Sequence, residues 1–240
     1  MRYHSLAERP DLVEAFWSME NDWPVFMGQD PVAATRYNRA VAMFPELHLV
    51  AMDGADVVAR VHAVPISWPG AAQLPDRGWD WALESGVDQP ETSRRAVSLI
   101  EARIAPQYRG QRLSQPILAA TREAFAALGV QDLVAPVRPN GKAVEPRTPP
   151  AEYAWRKRDD GLPADAWLRV HVRLGAELVR VAPLAMTIPG TLSQWRQWTD
   201  LPFDKDGLVE VPGALAPVLV DTVQGHAVYV EPNVWVHHQL

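Results

Sequence analysis

Residues 96–137 read AVSLIEARIAPQYRGQRLSQPILAATREAFAALGVQDLVAPV. Ala96–Ile104 has the apolar density of a strand, interrupted by the charged Glu101 and Arg103. From about Leu113 to Leu128, the residues Leu113, Ile117, Ala120, Ala124 and Leu128 fall on one helical face. Ser114 and Pro116 suit the first turn of that helix, and Gly129 closes it. Asp132–Val137 then returns as a strand. Strand, helix and strand in this order form a crossover unit, which predicts two parallel strands joined by a right-handed connection.

Outward from that unit the pattern changes several times. Leu47–Met52, the turn Asp53-Gly54-Ala55-Asp56 and Val57–Val64 read as a β-hairpin, with Asp-Gly as the turn signal. The first forty-odd residues read as helical, with helices at Asp11–Glu20 and Asp30–Phe44. Pro31 stands just inside the start of the second and Pro45 just past its end. Pro65 to Thr92 carries prolines, glycines and Trp68, Trp79 and Trp81. It reads as a long excursion off the sheet with one short helix at Asp80–Ser85, a lid over the acceptor side of a cleft whose pocket Trp79 and Trp81 line. Beyond the crossover, Arg138 to Pro150 is irregular and Asp165–Leu174 is helical up to Gly175. Glu177–Val181 is a strand, Leu192–Thr199 a helix, and Ala214–Asp221 and Ala227–Glu231 are apolar segments. Together these predict an α/β or α+β sandwich around a mixed sheet, with no boundary that cuts the chain in two.

Composition narrows the function classes. The 240 residues are 48% hydrophobic and 22% charged, which suits a globular domain and not a disordered tail or a rod. With 23 Lys+Arg against 29 Asp+Glu, the net charge of −6 gives no global attraction to nucleic acid or to an anionic membrane. Cysteine is absent, so disulfides, thiolate metal sites and a cysteine nucleophile are excluded. No apolar run reaches the roughly 18 residues of a membrane span, and MRYHSLAERPD lacks the apolar core of a signal peptide, so a cytoplasmic address is expected. No metal is expected from the seven histidines: the adjacent His237 and His238 point to opposite faces of an extended segment, and His48 and His62 lack accompanying ligand spacing. Trp155-Arg156-Lys157-Arg158 is followed at once by Asp159-Asp160 and reads as a solvated helix end rather than a nucleic-acid patch.

The chemistry points to Gln107-Tyr108-Arg109-Gly110-Gln111-Arg112-Leu113-Ser114, between a strand and a helix start. Successive amides, the positive end of the helix and two arginines favour a phosphate group, and a solvated basic turn is the other reading. The Walker and Rossmann glycine patterns are both missing. This strand, loop and helix, with Gln107 and Gly110 in place, resemble the acyl-CoA-binding motif [RQ]-x-x-G-x-[GA] of the GNAT superfamily of N-acetyltransferases. Arg112 departs from it where glycine or alanine is expected. The order of elements over roughly residues 3–183 is also that of the family, with 184–240 as an extension of a single domain.

The resemblance implies a mixed, mostly antiparallel central sheet flanked by helices, and acetyl-CoA or another acyl-CoA as donor. It implies that backbone groups near Arg103 and Ile104 pair with the pantetheine arm and polarise the thioester carbonyl. The pyrophosphate would sit on the amides from Arg109 to Ser114, and Asn140 would help hold the arm. It places His171, four residues before Gly175, where many members carry the tyrosine that protonates the departing thiolate; the other reading of His171 is a packed core histidine. Glu101 is the candidate general base, or else a partner of Arg103 on the same strand face. Asp80 and Glu84 are further carboxylates considered for the base. The expected protein is a monomer or homodimer that acetylates a small-molecule amine by direct attack. The alternatives are a longer acyl or carrier-protein thioester donor, with transfer, hydrolysis or decarboxylation, and a non-catalytic acyl-CoA-binding module.

Overall fold

Turn chemistry and edge pairing build the sheet strand by strand. The computed structural model describes residues 1–20, 22–90 and 95–240. A short strand β1 (Arg2–Ser5) opens the chain, followed by helices α1 (Val13–Ser18) and α2 (Pro31–Met43). The β1 segment has no alternating pattern, and it is a strand because it pairs antiparallel with β2 (Leu49–Asp53) at the edge of the sheet. This corrects the helical reading of the N-terminus. Helix α2 starts as expected: Asp30 caps it by accepting from the Ala33 amide at 2.8 Å, and Pro31 follows. The hairpin closes on β3 (Asp56–Pro65) through Gly54, whose φ of +61° suits the first position of a two-residue hairpin loop.

The excursion after β3 is a correction. It folds as helix α3 (Gly78–Asp88), nearly all of it buried. Gly78 meets β6 (Glu177–Thr191) so closely that a Cβ there would lie 2.8 Å from the Ala185 Cβ and 2.9 Å from that of Ala182. Small residues let helix and strand approach, so α3 is core and not a lid. Trp79 lines the cleft between the two crossover strands, as expected, and donates from its indole to the Ile100 carbonyl at 2.9 Å, while Trp81 packs edge-on to Trp235 away from it. Residues 91–92, the last of the expected excursion, lie outside the described residues.

The crossover unit matches its sequence closely as β4 (Ala96–Ile104), α4 (Ser114–Ala127) and β5 (Asp132–Val137). Gly129, at φ +86°, supplies the left-handed stop after α4. Next come α5 (Pro150–Ala154), α6 (Ala166–Arg173), β6, α7 (Leu192–Thr199), β7 (Gly207–Val209), β8 (Val218–Asp221) and β9 (His226–Gln239). The sheet order is β1-β2-β3-β4-β5-β9-β8-β7, with β6 on the other edge of β9. Every pairing is antiparallel except β4 with β5. The segment read as an extension thus supplies β9, which pairs with β5 from Val234 to Gln239. Residues 232–239 went unread as strand because His237 and His238 interrupt the apolar pattern. Among the described residues no helix is long and apolar enough to cross a membrane.

Asp30 and Asp80 face each other in the interior, at 0% and 2% exposure. Each keeps one oxygen, Asp30 Oδ2 and Asp80 Oδ1, without a donor among the described residues, and one proton shared between the carboxyls would satisfy both. Burial, and then the charge of Asp30, push Asp80 from 3.8 up to about 8. The folded chain therefore holds a proton that the unfolded chain has released, and stability falls as pH rises from about 4 to about 8. Urea denaturation at pH 5 and pH 9 is expected to show a lower midpoint at pH 9. Asp80→Asn should lessen that drop, and parallel losses in both proteins would contradict the shared proton.

Candidate active site

Strands β4 and β5 pair only at Ala96–Asp132, Val97–Leu133 and Ser98–Val134. Beyond these, β4 stays with β3 and β5 stays with β9, so the two strands diverge. The gap is a cleft of about 550 Å³ walled by Leu99–Ile104 on one arm and Ala135–Arg138 on the other. A β-bulge between the Leu99–Ala63 and Glu101–His62 pairs skips Ile100 and re-aims the strand beside the cleft.

At the mouth of the cleft lies the loop before α4. Gly110 has φ +77° and Arg112 has φ +59°. The left-handed conformation costs a non-glycine residue about 1–2 kcal/mol. Arg112 thus holds the backbone shape that the motif's glycine would take freely, and its departure from the pattern leaves the loop's course intact. Among the described residues, nothing accepts a hydrogen bond from the amides of Gly110, Gln111, Arg112, Leu113 or Ser114. A run of open N–H groups at the start of a 14-residue helix fits an anion such as pyrophosphate.

The structure brings most of the expected residues to this cleft. Arg103, Ile104, Arg109, Gly110, Arg112, Leu113, Ser114, Asn140, Glu101 and His171 all line it. Gln107 and Gln111 do not, and the Gln111 side chain turns back to the Gln107 carbonyl at 3.5 Å. Arg109 is engaged by Asp22, with one contact at 2.8 Å, and this hydrogen bond holds the Asp22 carboxyl below its usual range.

Glu101 is a hub. It accepts from Tyr37 Oη at 2.8 Å, from Arg60 Nε at 2.7 Å and from Arg103 Nη2 at 2.6 Å. Both oxygens are taken by guanidinium donors. A proton from an acceptor amine would have to break an ion pair to reach it, so this geometry argues for the Arg103 partnership over the base.

His171 is 1% exposed, with Nδ1 2.9 Å from His238 Nε2 and the Trp167 ring edge-on. Burial pushes its pKa well below 6.5, and that of His238 is down to about 4. Both rings are neutral at pH 7. His171 Nε2 has no hydrogen-bond partner among the described residues.

Several lining residues were not read from the sequence. Trp23 packs against both Arg103 and Arg138, whose guanidinium carbons are 5.9 Å and 5.6 Å from its ring centroid. Arg138 donates from Nε to Glu231 at 3.0 Å. Glu231 also accepts from Tyr229 Oη at 2.9 Å and Asn233 Nδ2 at 3.0 Å. The one available signal was Tyr229, Glu231 and Asn233 at spacing two in a strand, which puts polar groups on a single face. Among the described residues no cluster of His, Asp or Glu suits a metal ion.

Comparison with known proteins agrees with this geometry. An arginine N-acetyltransferase of Aspergillus versicolor is 31% identical over 268 aligned positions, spanning 98% of this chain and 92% of the relative. The loading GNAT-like domain of CurA from Lyngbya majuscula superposes with a TM-score of 0.60 at 17% identity, covering 99% of this chain and 96% of that one. The GphF GNAT-like decarboxylase, solved with isobutyryl-CoA, gives a TM-score of 0.58 at 17% identity, covering 100% of this chain and 99% of its own. No family model matches the chain.

The open amides generate a test with two variants. Gly110→Val places a branched side chain where φ is +77° and disturbs the loop backbone. It should weaken CoA binding at least tenfold by calorimetry while the fold remains intact. Arg112→Gly relieves the left-handed strain and should raise thermal stability. CoA affinity unchanged in a folded Gly110→Val protein would remove the loop from the binding site.

Proposed function

The chain belongs to the GNAT superfamily of N-acetyltransferases, and from that premise we propose that it moves an acetyl group from acetyl-CoA to the amine of a small molecule. Arginine, for which the Aspergillus relative is named, is the first acceptor to test. The observation that carries the reading is the splay of β4 from β5, with open amides at its mouth. From Leu99 onward the edge of β4 that faces the cleft has no strand partner, so an extended pantetheine arm can pair with it near Arg103 and Ile104. The Gly110–Ser114 amides take the pyrophosphate, and Asn140 faces the arm from the loop after β5. Acetyl-CoA supplies, when bound, a thioester already activated toward an amine. With no cysteine in the chain, transfer is direct.

In this reading His171 acts as a neutral N–H donor rather than as a reservoir of protons. The tautomer required is the one in which Nδ1 accepts from His238, so that the proton sits on Nε2, which has no partner among the described residues. A hydrogen bond to charge that develops on the departing sulfur is typically worth about 10²–10³ in rate. Glu101 orients Arg60 and Arg103, and the acceptor enters as the free amine.

Thiol release on mixing the protein with acetyl-CoA and arginine, together with detection of acetylated arginine by mass spectrometry, tests the reading. Binding of acetyl-CoA without thiol release over a panel of amines would contradict it. His171→Phe should lower kcat about 10²-fold and leave the KM for acetyl-CoA within about twofold. Because His171 is neutral well below pH 6.5, the wild-type kcat profile should show no His171 limb between pH 6 and 7. A limb near 6.5 that disappears in His171→Phe would overturn the neutral-donor role.

A further inference from the structure

We propose that the acceptor carries a carboxylate as well as its amine, and that Arg103 and Arg138 hold this carboxylate beside Trp23. The inference rests on the acetyl-transfer reading for the identity of the acceptor as substrate.

The argument begins with buried charge. Arg60 and Arg103 share one carboxylate, Glu101, and the three side chains are only 6%, 7% and 7% exposed. Tyr37, the other titratable group on Glu101, stays neutral because burial and Glu101 push its pKa well above 10. With two guanidinium groups on one carboxylate, Arg103 has no carboxylate of its own bonded to it among the described residues. Unpaired buried charge is costly, and such a group persists where a ligand completes it. Arg103 shows where. Its Nη2 binds Glu101 and its Nη1 reaches the Glu20 carbonyl at a long 3.4 Å, but its Nε is buried with no hydrogen-bond partner among the described residues.

Arg138 supplies a second donor from the opposite arm of the splay. Its Nε goes to Glu231 and its Nη2 to the Gly213 carbonyl, while Nη1 makes no hydrogen bond among the described residues. Both guanidinium groups pack against the same indole and line the same cleft. Two acids with hydrogen-bond partners of their own lie nearby, and the first, Asp22, also feels the charge of Arg103. Asp22 is taken by Arg109, and Glu231 is already shared by Arg138, Tyr229 and Asn233. A planar carboxylate matches two guanidinium groups with donors left over. In an α-amino acid the carboxylate lies two bonds from the nucleophilic nitrogen, so a clamp on the β4 wall is where such an acceptor needs it.

Binding to the protein loaded with CoA tests this without turnover. Arginine is compared with agmatine, its decarboxylated counterpart, and phenylalanine with phenethylamine. The amino acid of at least one pair should bind about 10–100-fold more tightly than its amine. Arg138→Gln, which leaves Glu231 with Tyr229 and Asn233, should cut that preference below about fivefold. It should do so by weakening the amino acid, with the amine and CoA affinities unchanged. Equal binding within both pairs, or binding of no amino acid, would overturn the clamp. So would an Arg138→Gln protein that loses CoA affinity and keeps the preference, since the anion would then be a CoA phosphate. Discrimination without acetyl transfer would count against the acetyl-transfer reading and leave the clamp standing.

Discussion

Three backbone pairs, Ala96–Asp132, Val97–Leu133 and Ser98–Val134, join the two halves of the sheet. Everything at the candidate site depends on their being so few. Strand β4 is held along its other edge by β3 from Pro65 back to Ala59, and β5 is held along its other edge by β9 throughout. Each strand follows the twist of its own partner, and a parallel pair three residues long cannot keep them together. The result is a wedge whose walls are backbone, open on one side to any extended group that can add to a strand edge. The same divergence leaves α4 pointing its first turn at the mouth. One topological constraint thus produces a groove for an arm and a cradle for an anion.

Buried polar groups concentrate around this wedge. Glu101 with Arg60 and Arg103, Glu231 with Arg138, and the His171–His238 pair all line it or lie directly behind it. Burying such groups carries a desolvation cost that apolar groups of similar size avoid. The partners of these groups also limit what each can do. Glu101, satisfied three times over, is better at holding two guanidinium groups in place than at taking a proton. His171, buried beside a second neutral imidazole, is better at donating a hydrogen bond than at carrying a full charge.

The sequence made the local parts of this legible and left the convergent parts hidden. Strands β4 and β5, the helix between them and the β2–β3 hairpin are written in periodicity, in the Asp-Gly turn and in Gly129. Each can be read within a dozen residues. Strand β1 could not, because RYHS becomes a strand only through the edge of β2. Helix α3 was hidden because Gly78 and Gly86 look like loop punctuation, whereas they permit close packing against Ala185 and Val64. At the site, the loop from Arg109 to Ser114 could be read from its place between a strand and a helix start, and His171 from the resemblance to the family. Trp23, Arg138 and Glu231 could not, since more than 200 residues separate the first from the last and only the sheet topology brings them together.

The most direct measurement of the central claim is amide-resolved hydrogen exchange, or amide chemical shifts, with and without CoA. If the wedge between β4 and β5 is the CoA groove, the amides of Gly110 to Ser114 and the cleft-facing edge of β4 from Leu99 to Ile104 gain protection together. Helix α5 and the distant strand β1 should not respond. Saturating CoA that leaves the loop and the β4 edge unchanged, or that protects some other face of the molecule, would contradict the account.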